Sequence, residues 1–434
     1  MTERAQRYAA EAGRMMRLPT IYVKDEPLCP AFADMYRLFE ELFPNLYRVG
    51  EVRDFEGSKL FLLRGTDPEG GLPLALMSHH DVVAAPGEWE HPPFAGEVAD
   101  GRLWGRGALD IKVNLYCILR AADELAAEGF RPKRDTYLIT SCMEEVGGND
   151  LVADWLEEQD VELGLLLDEG SPIMADPYPG IHGDWAAISV GEKGMANVKF
   201  TARGKGGHPM MLHRNSPLVR LGRLMVDCED RPPFPFEPNA PVRAMLERID
   251  AMLPEDERFG GAHPDEARLE AALGPVEVGM VRTTMVFTRA QGSDASSSVP
   301  TEASVTANLR LAPPTTPSAA LAVLAGRAAA FDVTAELETS REPSRMADLD
   351  SKGYAAVENA VRAVFPDATP LPYVLSGGTD TKHFHKVCGC CIRFTPIRVD
   401  RAQQFAVHGV NENVDVAAIP PAVDFFKELI AHWE

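Results

Sequence analysis

The chain has 434 residues, 45% apolar and 25% charged, with 43 basic against 65 acidic side chains and a formal charge of −22. It exceeds the ~250–300 residues at which one hydrophobic core stops growing, so two domains are expected and a disordered or fibrous chain is excluded. The acidic balance repels nucleic-acid phosphates and anionic membrane surfaces alike, so neither is expected as a partner.

The chain opens with "MTERAQRYAAEAGRMMRLPT", a charged amphipathic helix without the apolar region of a signal peptide. No apolar run reaches the ~18–20 residues of a membrane span. The 7 cysteines are an odd number and too few for a disulfide framework at this length. A cytoplasmic location with reduced thiols is expected.

"LPLALMS", "TYLITSCM" and "LGLLLDE" are short apolar runs bounded by turn residues and read as buried strands. Helical patterns alternate with them, as in "IKVNLYCILRAADELAAEG", where Ile111, Leu115, Ile118, Leu119 and Leu125 share one face and Gly129 stops the helix. This alternation predicts an α/β domain with a central, mostly parallel sheet and helices on both faces. After "GEKG" the pattern changes to alternating strands such as "MANVKFTARG" and "SVTANLRLA", with helices such as "PVRAMLERIDAMLPEDE" between them and a Pro-rich loop, "EDRPPFPFEPNAP". The expected organisation is an α/β domain over 1–193, an inserted smaller α+β domain over 194–338, and the remainder of the α/β domain over 339–434. In that last part helices are expected over "GYAAVENAVRAVF" and "PAVDFFKELIAHW", and a strand over "CIRFTPI".

Each of the three apolar runs finishes in chemistry-bearing side chains: His79 and Asp81, then Glu144 and Glu145, then Asp168 and Glu169. Ligands of open α/β sheets bind at the carboxyl ends of the strands, so these groups are expected in one crevice, with Asp110 on the same rim. Carboxylates and imidazoles crowded together repel one another and lose solvation unless a cation sits among them. Mixed imidazole and carboxylate donors suit zinc, cobalt or manganese. The cluster "HFHKVCGCC" has the residue types of a zinc knot but lacks a second CxxC half, and is read as structural or incidental.

The segments "SHHDVV", "WEHPPFAGEVADGRLWGRGALDIK", "MEEVGG", "LLDEG", "GKGGH" and "HGVNENV", in this order, resemble the zinc aminoacylase/carboxypeptidase family of dinuclear metallopeptidases, and "VRTTMVFTRAQGSDASSSVPTEASVTANLRLAPP" is most similar to its Gly-X carboxypeptidase and N-acyl-amino-acid hydrolase branch. The resemblance implies that the α/β domain is the catalytic metal-binding domain, that the inserted domain is a ferredoxin-like lid or dimerisation domain, and that each chain binds two Zn2+, with Co2+ or Mn2+ as substitutes. His79, Asp110, Glu145, Asp168 and His408 would be the metal ligands, Asp110 bridging the two ions, and Glu169 is the rival of Asp168. Catalytic roles fall to Glu144 as general base toward a metal-activated water, to Asp81 as the partner that orients His79, and to His208 as oxyanion stabiliser. His80 needs no role. Arg310 would hold the substrate carboxylate, and Gly377 and Gly378 belong to a substrate-contacting loop, "SGGTD". Two departures bear on the substrate: the family's asparagine before its "VIP" turn is Ser297, and Pro209, Met210 and Met211 follow His208 in place of small or hydroxyl residues.

The function so implied is cleavage of a peptide bond next to a free carboxylate, in the manner of a carboxypeptidase or dipeptidase, on a small peptide or N-acyl amino acid, with a homodimer expected by analogy. The alternatives are an N-acyl-amino-acid amidohydrolase and a catalytically silent binding relative. A thiol enzyme built on Cys142 or the "CGCC" cluster is a third reading.

Overall fold

The computed structural model describes residues 2–177, 183–261, 263–272, 279 and 281–434. Within them the chain forms two compact units, one built from Met1–Val190, Met346–Tyr373 and Gly378–Glu434, the other from Gly191–Arg345 with Val374–Gly377. Among the described residues no helix is long and apolar enough to cross a membrane.

In chain order the strands are β1 (Glu51–Phe55), β2 (Ser58–Leu63), β3 (Leu74–His79), β4 (Glu97–Ala99), β5 (Arg102–Trp104), β6 (Thr136–Ser141), β7 (Leu165–Ala175), β8 (Asp184–Glu192), β9 (Gly194–Arg203), β10 (Thr284–Gln291), β11 (Glu302–Leu311), β12 (Thr334–Arg341), β13 (Ala368–Leu375), β14 (Cys391–Val399) and β15 (Asn413–Asp415). The first unit is organised on an eight-stranded sheet in the order β1-β2-β6-β3-β7-β14-β8-β13. Its inner strands β6, β3, β7 and β14 run parallel, and β1, β2 and β8 pair antiparallel toward the margins. This is the mostly parallel α/β sheet expected. Every residue of β3 is buried, as a strand covered on both faces must be, which is why its sequence reads as a continuous apolar run.

The helix Lys112–Ala127 packs against β3 and against the C-terminal helix Ile419–His432. The sequence pattern gives this helix a single apolar face; instead nearly its whole circumference is buried, including Lys112, Asn114, Arg120 and Asp123. The charged groups among them are satisfied locally: Lys112 donates to the carbonyls of Met15 and Leu18, Arg120 reaches Glu11, Asp123 and the carbonyl of Leu42, and Asp123 accepts the N–H groups of Asn45 and Leu46. A covered helix thus carries charge because each charge has a partner. The stop is as expected, with Gly129 at φ +77 and the N–H of Phe130 bonded to the carbonyl of Leu125.

β7 departs from the reading most. The apolar run predicts a strand that ends at Asp168 and Glu169, whereas β7 continues through them to Ala175. Its pairing with β14 slips between Arg393 and Phe394, opposite Gly170. A side chain at Gly170 would stand 2.5 Å from Cβ of Arg393, so only glycine lets β14 pass there.

The second unit holds a four-stranded antiparallel sheet, β10-β11-β9-β12, over a core that includes Val198, Phe200, Leu221, Leu224, Val305 and Leu324. Burial alternates along the first part of β9, one face toward that core. Residues 231–239 of the Pro-rich stretch form no helix or strand, and the helix Ala240–Asp250 starts under an Asn239 cap.

Candidate metal centre

His79 is the last residue of β3, and it pairs in register with Ser141 at the end of β6. The two strand ends therefore deliver their following residues to the same rim: Asp81 after one, Glu144 and Glu145 after the other. Asp81 joins them. Its Oδ1 lies 3.3 Å from His79 Nδ1, and its two oxygens accept the backbone N–H groups of Glu144 at 3.2 Å and Glu145 at 3.1 Å. His79 Nδ1 also lies 3.0 Å from the carbonyl of Asp81, so Nε2 is the nitrogen turned to the site.

Around that nitrogen stand Asp110 Oδ1 at 3.0 Å, Glu169 Oε1 at 3.2 Å and Glu144 Oε2 at 4.0 Å. The other oxygen of Asp110 meets His408 Nε2 at 2.7 Å, and His408 Nε2 is 3.2 Å from Glu145 Oε2. One carboxylate thus lies between two imidazoles, with Glu169 beside one and Glu145 beside the other. His79, Glu144 and Glu169 bring ligand atoms within 4.8 Å of one another, and His79, Asp110 and Glu145 do the same. His408 sits at φ +59, a conformation rarely adopted by a residue with a side chain.

The electrostatics fit a cation-binding set. Burial pushes the Glu144 carboxyl up to about 9 and that of Glu169 to about 7, with neighbouring carboxylates adding to the effect. For Asp110, burial is outweighed by hydrogen bonds from His408 and His79, which hold it below the ordinary carboxylate range. His408 is raised to about 10 by its bonds to Asp110 and Glu145. Oε1 of Glu145 is buried without a hydrogen-bond partner. Two imidazoles among largely buried carboxylates, with an unpartnered oxygen in the set, have the donor chemistry of a pair of divalent ions.

Asp168 is not among the residues brought together. Its Oδ1 accepts the N–H of Glu169 at 2.8 Å, and burial with the Glu169 charge beside it raises its pKa well above the ordinary value. Neighbouring residues of an extended strand face opposite sides. In β7 the side turned to His79 belongs to Glu169, the rival of Asp168, while Oδ2 of Asp168 is buried without a hydrogen-bond partner.

His80 is enclosed by the rings of Phe32, Tyr36 and Phe39, with centroids 5.7, 5.7 and 5.8 Å away. Burial lowers its pKa well below the ordinary value, and it remains a neutral core histidine. Among the described residues Cys388, Cys390 and Cys391 join no group with metal-ligand spacing; the thiols of Cys388 and Cys391 bond to nearby carbonyls, and that of Cys390 pairs with the Ser351 hydroxyl. Burial raises Cys142 to about 11, so it is no thiolate nucleophile at neutral pH. His208, Arg310 and Gly377 belong to the second unit. There His208 is exposed, its Nδ1 accepting the N–H of Met210 at 3.2 Å, and Arg310 is exposed on β11 opposite Met195 and Thr284. Gly378 belongs to the first unit.

Three residues of the first unit escaped the sequence reading. Asp380, in the "SGGTD" loop, is buried, and its Oδ1 occupies the space a side chain at Gly148 would need. Arg106 and Glu412 form a fully buried ion pair at 2.6 Å directly behind Asp110. The only signal for them was charge inside the glycine-containing stretches "GRGALD" and "HGVNENV".

The model of "Peptidase family M20/M25/M40" matches residues 75–432. The chain belongs to this family. Across 417 residues it is 27% identical to the probable carboxypeptidase S-like 2 of Dictyostelium discoideum, covering 93% of this chain and 80% of that protein. It is 28% identical over 442 residues to the N-fatty-acyl-amino acid synthase/hydrolase PM20D1 of Xenopus tropicalis, covering 99% and 86%. Its fold is similar to that of an M20 family metallo-carboxypeptidase, Sso-CP2 from Sulfolobus solfataricus, with a TM-score of 0.68 at 18% identity and 99% of each chain covered. Membership of the M20 family makes this chain a hydrolase of the metallopeptidase type.

Proposed function

We propose that this M20 hydrolase is a dinuclear zinc enzyme that cleaves the amide bond next to a free carboxylate in small peptides, with N-acyl amino acids as the alternative substrate class. The observation that carries the reading is Asp110, whose two oxygens meet His79 and His408 at 3.0 and 2.7 Å. His79 and Glu169 are proposed to hold one ion, His408 and Glu145 the other, and Asp110 both. Bound there, the ions supply Lewis-acid polarisation of the scissile carbonyl and an acidified water.

The protein's own groups do the rest. Glu144 stands farther from His79 than Glu169 does, at 4.0 against 3.2 Å, which leaves it free to take a proton and return it to the leaving amine. Asp81 fixes the tautomer of His79 and the backbone beneath Glu144 and Glu145. His208 is proposed for the oxyanion and Arg310 for the substrate carboxylate, with Gly377 and Gly378 in the substrate loop. A cytoplasmic homodimer completes the proposal.

The test is metal content per chain, paired with hydrolysis of a panel of dipeptides and N-acyl amino acids before and after chelation. Two zinc ions with chelator-sensitive cleavage are expected, and the panel ranks the two substrate classes. A chain that takes up no ion and cleaves nothing after zinc or cobalt is restored would overturn the proposal.

A further inference from the structure

Glu412 takes no part in the chemistry above, yet its carboxylate is fully buried and fully engaged. Oε1 accepts the backbone N–H groups of Leu109 at 2.7 Å and Asp110 at 3.0 Å; Oε2 accepts the N–H of Gly107 at 3.2 Å and the Arg106 guanidinium at 2.6 Å. The backbone carbonyl of Glu412 accepts the N–H of Gly105 at 2.9 Å. Arg106 in turn donates to the carbonyl of Gly409, next to His408, at 2.9 Å. The segment 105–110 has no regular ladder of its own, so Glu412 supplies the acceptors that its amides would otherwise lack.

We infer that Glu412 is a positioning residue, which through Arg106 and the amides of residues 107–110 sets Asp110 and His408 at the mutual spacing that one metal ion requires. The inference rests on the metal-centre reading above. Asp110 and His408 come from segments far apart in the chain, and one buried ion pair reaches both segments. His79 and Glu169 stand on β3 and β7 and need no such brace. Loss of Glu412 therefore weakens most the ion held with His408, for which it braces two ligands, and weakens less the ion of His79 and Glu169, which shares only Asp110 with it. The expected size is about 10- to 100-fold in affinity, as for other groups that orient metal ligands.

The experiment strips the full-length protein with chelator and titrates Zn2+ calorimetrically into wild type, Glu412→Gln, Arg106→Lys and His408→Ala, with thermal melts of each to show that it is folded. Glu412→Gln is expected to weaken most the ion that His408→Ala loses, and to weaken the other ion less. Arg106→Lys keeps the buried charges balanced but loses the fork to Gly409, and is expected to weaken the same ion less; it decides the matter if Glu412→Gln does not fold. Wild type binding two ions, with folded Glu412→Gln binding both at wild-type affinity, would overturn this inference and leave the metal centre standing. If Glu412→Gln does not fold, unchanged binding by Arg106→Lys has the same meaning. Wild type that binds no ion would overturn the metal-centre reading, and this inference with it.

Discussion

Asp81 touches both strand-end loops of the site at once: its Oδ1 is 3.3 Å from His79 Nδ1, and its two oxygens accept the N–H groups of Glu144 and Glu145. Asp81→Asn places an amide NH2 where one of those acceptors was, facing a backbone donor or the imidazole. Metal affinity is expected to fall about 10- to 100-fold, with turnover falling alongside at limiting zinc. Metal titration of the folded variant checks this; wild-type affinity would show that the geometry of Asp81 is dispensable.

Glu144→Gln keeps the size of the side chain and removes its ability to carry a proton. Turnover is expected to drop about 10²- to 10⁴-fold while metal content is retained. Metal analysis together with kcat on one substrate decides it, and a metal-replete variant with near-native kcat would remove Glu144 from the role of base.

Glu169 and Asp168 can be separated by the same measurement. Glu169→Gln is expected to lose one ion per chain, because Oε1 faces His79 Nε2 at 3.2 Å, whereas Asp168→Asn is expected to keep both ions. The opposite outcome would mean that β7 presents its other side to the metal.

Gly148 has φ +65, and a methyl group there would lie 1.8 Å from Asp380 Oδ1 and 2.9 Å from His383 Nε2. Gly148→Ala meets both the left-handed backbone penalty, about 1–2 kcal/mol, and this clash, so a stability loss above that range is expected. A variant melting within a degree or two of wild type would show that the loop relaxes freely.

Lys193 is buried in the second unit, where its Nζ donates to the carbonyls of Gly279 and Arg282, and burial lowers its pKa from 10.5 to about 8. Between these values the unfolded chain holds a proton that the folded one has released, so stability attributable to this residue rises with pH by roughly 3 kcal/mol. Denaturant titrations of wild type and Lys193→Met near pH 8 and near pH 10.5 are expected to show wild type gaining on the variant at the higher pH. An unchanged difference would count against the shift.

His79, Glu144, Glu145 and His408 were legible because chemistry-bearing residues standing directly after apolar runs, or in a recognisable motif, have few other uses. The choice between Asp168 and Glu169 was not legible. A strand's alternation says that two neighbours face opposite ways, but which one faces the metal depends on β14 crossing at Gly170 and on the register slip beside it, and neither is local. Arg106 and Glu412 were missed for a related reason: they are 306 positions apart, and nothing near either one announces a buried partner. The burial around Lys112–Ala127 was hidden because a helix covered on all sides was expected to be apolar all round, whereas this one pairs Arg120 with Glu11 and Asp123 and seats Lys112 on backbone carbonyls.

β14 is wedged between β7 and β8, although it follows both by many residues. β7 and β8 pair directly only over Ile173–Ala175 and Asp184–Ala186, so the rest of the space between them is filled only once Cys391–Val399 have been made, and His408 and Glu412 come later still in the chain. A centre that includes His408 can therefore be complete only when nearly the whole chain has been made.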